Sequence, residues 1–102
     1  MISLSELKTA FKDYKYYYGY APLNTKLPYI VAEDTDTDNF AADGKVYAPK
    51  VETTLSCYFS SKNETTESAI EAILDALGLF WNKSETHDED ESFYLIIYSF
   101  WR

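Results

Sequence analysis

Between Val51 and Phe59 the chain alternates strictly. Val51, Thr53, Leu55, Cys57 and Phe59 project to one side of an extended backbone, and Glu52, Thr54, Ser56 and Tyr58 project to the other. A strand that is apolar on one side and wetter on the other belongs in an antiparallel sheet with a helix on one face. The segment Phe93–Tyr98, "FYLIIY", adds a second condition, because it is apolar on both sides. It reads as an interior strand covered on both faces. Helices supply one covering layer, and a neighbouring subunit is the candidate for the other.

The remaining elements follow from caps and periodicity. Ser3 and Glu6 fit a capping box, and Ile2 and Leu7 flank it as a hydrophobic staple. Apolar positions then recur at Leu4, Leu7, Phe11, Tyr14 and Tyr18, which predicts a helix from about Leu4 to Tyr17, stopped by Gly19 and Pro22. The stretch 27–32, "LPYIVA", reads as a strand with Pro28 at its beginning. The acidic stretch after it reads as a loop, with Lys45–Tyr47 a short extended piece set apart by Pro49. A second helix is predicted from Glu64 to Leu77. Asn63 is its N-cap, Glu64 and Glu67 lie near its positive end, Ala69, Ile70, Ile73, Leu74 and Leu77 form its stripe, and Gly78 stops it. Leu79–Ser84 and Ser92–Trp101 read as a hairpin joined by the acidic turn 87–91. The predicted fold class is therefore α+β: an antiparallel or mixed sheet of four to five strands packed against two helices, in the order α-β-β-α-β-β, as a single domain over residues 1–102.

Composition narrows the function classes. Seventeen acidic residues face nine basic ones, a net charge of -8, which argues against tracking a phosphate backbone. Aromatic residues make up 18% of the chain, more than a core this small can hold, so some tyrosines belong at an interface. A single cysteine, Cys57, leaves no internal disulfide and no multi-cysteine zinc site. "MISLSELK" lacks the basic start and apolar run of a signal peptide, and no apolar stretch approaches the ~20 residues of a membrane span.

Candidate chemistry centres on the acids. Asp34, Asp36 and Asp38 alternate with threonines as ligands 1, 3 and 5 of a calcium loop do. Asn39 then stands where that loop needs glycine, and Lys45 where it needs a bidentate glutamate, so the three aspartates read as turn formers before metal ligands. Phe40, amid these acids, is an aromatic with a role in packing on something. His87 sits among carboxylates with no nucleophile nearby, and Cys57 reads as a small buried hydrophobe. Glycine occurs at positions 19, 44 and 78 alone, so no phosphate-cradling loop is present. No catalytic residue and no cofactor follow from these patterns.

The segments Leu27–Val31, Thr37–Tyr47, Val51–Phe59, Leu77–Thr86 and Phe93–Trp101 carry a resemblance in their order and spacing, covering about three quarters of the chain. "LPYIV", "TDNFAADGKVY" and "LGLFWNKSET" are its most characteristic pieces. The chain resembles small structural proteins of siphophages and prophages of Firmicutes, the tail-terminator and head–tail joining family. It departs from the pattern at Glu33, Asp34 and Ser56-Cys57-Tyr58. The resemblance implies a virion protein without bond chemistry: a homo-oligomeric ring, of six copies in tail terminators, at the end of the tail tube. It implies as partners the chain itself, the major tail protein and the head–tail connector proteins, and as location the tail or neck of the virion, with the host cytoplasm during assembly. No membrane and no specific nucleic acid are expected as partners. Asp36, Asp38, Asn39, Phe40, Tyr16 and Tyr17 are the interface candidates. The alternatives are a head-completion or neck protein on the connector side, an acidic DNA-mimic inhibitor of a host protein, and, behind these, a metal-binding enzyme.

Overall fold

The computed structural model describes residues 2–42, 45–90 and 92–102, with side chains described outside 38–49. The described residues form α1 (Leu4–Ala10), β1 (Tyr16–Tyr18), β2 (Tyr29–Ala42), β3 (Lys45–Phe59), α2 (Glu64–Ala76), β4 (Trp81–Asp88) and β5 (Phe93–Trp101). The strands make one mixed sheet of five, in the order β1-β2-β3-β5-β4. Only the β1–β2 pair is parallel. The expected α+β class holds, with one strand more than the predicted order.

Both helices pack on one face, called inner here. Leu7 and Phe11 of the α1 region and Ile70 and Leu74 of α2 meet Ile30, Leu55, Cys57, Ile96, Tyr98 and Phe100 from the sheet. The alternation of Val51–Phe59 is realised, since Thr53, Leu55, Cys57 and Phe59 are all buried. The expected caps form. Ser3 Oγ accepts from Glu6 N at 3.1 Å, and Asn63 Oδ1 accepts from Thr66 N at 3.1 Å. Gly78, at φ +74°, ends the α2 region in the left-handed conformation that glycine adopts without a Cβ penalty.

Three expectations are corrected. The first helix stops at Ala10, seven residues short of Tyr17. Tyr16, Tyr17 and Tyr18 are a run of aromatics suited to a pleated, half-buried surface, and they pair with Ile30, Val31 and Ala32 of β2. Gly19 therefore ends a strand, with φ +87° at the entry to the 19–28 connection. The acidic stretch is no loop. It continues β2 to Ala42 against Lys45–Val51 of β3, because alternating Thr35 and Thr37 are β-branched and favour extension. Pro49, which lacks a ladder donor, falls at the register shift between Asp38↔Lys50 and Phe40↔Tyr47, where a β-ribbon tolerates proline. Lastly, His87 and Asp88 belong to β4 and not to the turn, their backbones pairing with Tyr94 and Phe93.

β5 borders β3 from Glu52 to Phe59, and Arg102 extends that ladder by one residue through backbone hydrogen bonds with Val51 at 2.9 and 3.0 Å. Among the described residues the β2–β3 ladder beyond Thr37↔Val51 pairs only with itself, a two-stranded arm leaving one end of the sheet.

Candidate interaction surface

The residues that alternate with the core define the outer face. Register aligns them in two rows. One runs Tyr29, Tyr58, Leu95 and Thr86 across β2, β3, β5 and β4, and the other runs Tyr17, Val31, Ser56, Ile97 and Ser84 from edge to edge. Among the described residues no element lies over them, and Val31, Leu95 and Ile97 are only half-buried. An antiparallel sheet face turned to water is normally polar at such positions. Tyr58 stacks on Tyr29 with ring centroids 4.8 Å apart and meets Phe93 at 5.6 Å. Burial, then Tyr29 and Glu33, raise the Tyr58 phenol above its ordinary value, so it stays a neutral donor. The connection 19–25 walls this face on the β2 side, leaving a groove of about 430 Å³ above Val31, Ser56 and Tyr58. Leu23 on that wall is 93% exposed.

Where β2, β3 and β5 lie side by side, the charges on this face are Glu33 and Glu52, with no Lys or Arg among the described residues. The face is thus an apolar, aromatic patch with an acidic rim toward the arm. Its composition suits the centre of a protein interface, where tyrosines and aliphatic groups supply contact area.

The arm is anchored at its root. Arg102 binds both carboxylate oxygens of Asp34 at 2.8 and 2.9 Å, donates to Thr53 Oγ1 at 2.8 Å and to the Ile2 carbonyl at 3.0 Å. Thr53 Oγ1 in turn donates to Asp34 at 2.8 Å. This one guanidinium ties β5 to β2, β3 and the segment before α1. Burial alone raises the Asp34 carboxyl, but the hydrogen bonds from Arg102 and Thr53 outweigh it and hold it below the usual carboxylate range.

The inner face carries its charge in a second network. Glu67, 3% exposed, lies between Lys62 and Lys83, whose ammonium groups approach it to 3.0 and 2.7 Å. Lys83 also reaches Glu71 at 2.8 Å, Glu71 accepts from Tyr98 at 2.8 Å, and Lys62 also meets Glu85. Burial pushes Glu67 up, yet hydrogen bonds from Lys83 and Lys62 bring it below its ordinary value.

The individual candidates separate. Asp34 is held by Arg102, a fixed cation where a metal ligand would need an open carboxylate. Asp36 is exposed and accepts from Thr37 N at 2.8 Å. The side chains of Asp38, Asn39 and Phe40 lie outside the described residues, and their backbones belong to the arm. Tyr16, an interface candidate, instead packs inward, stacked on Phe11 at 5.8 Å, with its phenol pushed up to about 12 by burial. Alternation turns Tyr17 the other way, onto the outer face beside Val31. His87 packs on Tyr94 at 5.5 Å. Cys57 is buried in the core, and burial pushes its thiol up to about 12. β5 separates His87 from Cys57, and their registered partners are Tyr94 and Ile96, which sets the two about 12 Å apart.

Val31, Leu95, Ile97 and the Tyr29–Tyr58 pair were absent from the sequence-based candidates. Their signal was the apolar outer side of β5, combined with an aromatic, Tyr58, on the wet side of β3. Arg102 carried no local signal, since its partners are distant in the chain. A scan of protein-family models finds none that matches, and a search of curated proteins returns no relative.

Proposed function

We propose that the chain is a structural protein of a phage virion, a tail terminator or head–tail joining component that forms a ring at the end of the tail tube. The observation that carries the reading is the outer face. A sheet sealed by two helices on one side keeps an apolar, aromatic surface on the other, and such a surface is expected to be covered in the working assembly. A ring at a tube end must present unlike surfaces to its neighbours in the ring, to the major tail protein and to the head–tail connector proteins. The outer face, the two-stranded arm and the 19–25 connection provide three such surfaces on one small chain. The resemblance in "LPYIV", "TDNFAADGKVY" and "LGLFWNKSET" supports the same assignment.

Purified protein mixed with tail tubes of the same virus tests this. Co-sedimentation, with electron microscopy showing density at one tube end, is the expected result. Ile97→Asp should abolish capping while leaving the circular dichroism spectrum unchanged. Tubes that stay bare at both ends, or capping untouched by Ile97→Asp, would refute the reading.

A further inference from the structure

The two edges of the sheet carry opposite charge. On the α1–β1 side, Lys8, Lys12, Lys15 and Lys26 are exposed, with Glu6 and Asp13 as the acids near them. The Lys15 ammonium donates to the Lys26 carbonyl at 3.1 Å, which draws two of these lysines together. Among the described residues none of the four takes part in an ion pair. On the α2–β4 side, the two lysines are committed to Glu67, Glu71 and Glu85. Glu64, Glu89 and Asp90 remain exposed there, and the Glu89 side chain is 90% exposed with His87 3.9 Å away. Among the described residues β4 is also an edge strand whose outer backbone groups have no neighbouring strand in the sheet.

Register fixes the relative level of the two edges. Lys15 is fixed beside β2 by a hydrogen bond from Ile30 N to its carbonyl at 2.8 Å. The neighbouring residue Tyr29 shares a transverse row with Tyr58, Leu95 and Thr86, and Glu89 follows three residues after Thr86, about 10 Å further along the strand direction. Four inter-strand spacings separate the two edges, about 20 Å. Patches of opposite sign on opposite edges suit a heterologous contact between successive copies, which gives a ring if the rotation closes and a filament if it does not.

We propose that copies of this chain join head to tail, the lysine edge of one docking on the Glu64–Glu89–Asp90 edge of the next. Closure of that series into a ring rests on the function proposed above. The occupant of each edge is a second copy because each copy supplies both signs, whereas two like edges repel.

Sedimentation velocity on the intact chain reads the outcome. Wild-type protein should associate at about 0.1 M sodium chloride and dissociate at about 1 M, as the screening length falls from about 10 to about 3 Å. Lys12→Glu with Lys15→Glu, and separately Glu89→Lys with Asp90→Lys, should each weaken association by roughly tenfold or more. All four sites are exposed, and unchanged thermal melting confirms that each variant folds. Mixing the two variants in equal amounts should restore association, because every junction again joins opposite signs. Wild-type protein that is monomeric under all these conditions, variants that associate as the wild type does, or a mixture that stays apart would each overturn the proposal. Tube capping by both variants at the wild-type level would remove the head-to-tail junction while leaving the tail-terminator role standing.

Discussion

Ile96 and Ile97 are neighbours in β5, yet they meet opposite environments. Ile96 is 1% exposed beneath the helices, whereas Ile97 lies in the uncovered row with Val31 and Ser56. On the inner side even the charges are matched, Glu67 with Lys62 and Lys83, and Glu71 with Lys83 and Tyr98. On the outer side apolar groups are present without a layer among the described residues to cover them. Stability resides in the first face, and the second is free to vary with what it binds. Ile96→Thr should show this most strongly. It removes buried apolar volume and places a hydroxyl in the buried cluster beside Cys57, its registered neighbour, costing about 3 kcal/mol in denaturant unfolding. A cost below about 1 kcal/mol would mean that the inner face is not the core on which the fold depends.

The arm root provides the next test. Arg102→Met keeps an aliphatic stem but removes four hydrogen bonds, to Asp34, Thr53 Oγ1 and the Ile2 carbonyl, and leaves Thr53 as a side-chain donor to Asp34. Removing one partner of a largely buried ion pair costs about 3 kcal/mol when the other charge cannot reach water. Asp34 is only partly buried, so about 2 kcal/mol is expected here. Hydrogen exchange should rise first in the amides of β2 and β3 near Asp34 and Thr53. Uniform loss across the sheet would show that the clamp serves the whole fold and not the arm.

Acid should act on the same two networks. Asp34 and Glu67 both titrate lower in the folded chain than in the unfolded one. Their contribution to stability is therefore complete above the unfolded values of roughly 4. It falls away as pH drops through the folded values. The denaturant midpoint should hold steady from neutral pH to about 5 and decline below about 4. In Glu67→Gln the decline should be shallower, since one of the two linked protons is gone. An acid limb identical to that of the wild type would assign the linkage to other carboxyls.

Much of the inner face was legible because its signals are local. The Ser3 and Asn63 caps, the apolar stripe of α2 and the period-two run Val51–Phe59 each satisfy their rule within a few residues. The arm was not, because alternating Asp and Thr resemble turn residues and the partner strand that makes them extended is set by register. β1 was hidden for another reason. The spacing Leu7, Phe11, Tyr14, Tyr18 mimics a helical stripe, and only the parallel partner β2, ten residues further on, makes extension the better solution. The outer surface was half legible: "FYLIIY" demands cover on two sides, but which residues of β2 and β3 join Leu95 and Ile97 depends on register. Arg102 and Asp34 meet across 68 positions, a pairing no local rule anticipates.

The smallest expected effect on stability is the one that separates the two faces best. Ile97→Thr keeps the β-branched shape that suits a strand and exchanges one apolar group for a hydroxyl that water can still reach. In the isolated chain it should cost less than about 1 kcal/mol, against about 3 for the same exchange one residue earlier. Binding should respond in the opposite sense. Placing a hydroxyl at the centre of a dry interface leaves it without a partner, at about 1–3 kcal/mol, so capture on tail tubes should weaken roughly tenfold or more. Ile97→Val, which loses a single methylene and adds no polar group, should bind nearly as the wild type does. If Ile97→Thr proved as destabilising as Ile96→Thr, the outer face would already be buried within the chain itself. If it bound as the wild type does, Ile97 would lie outside the contact, and the partner would have to meet the sheet through the arm or the 19–25 connection.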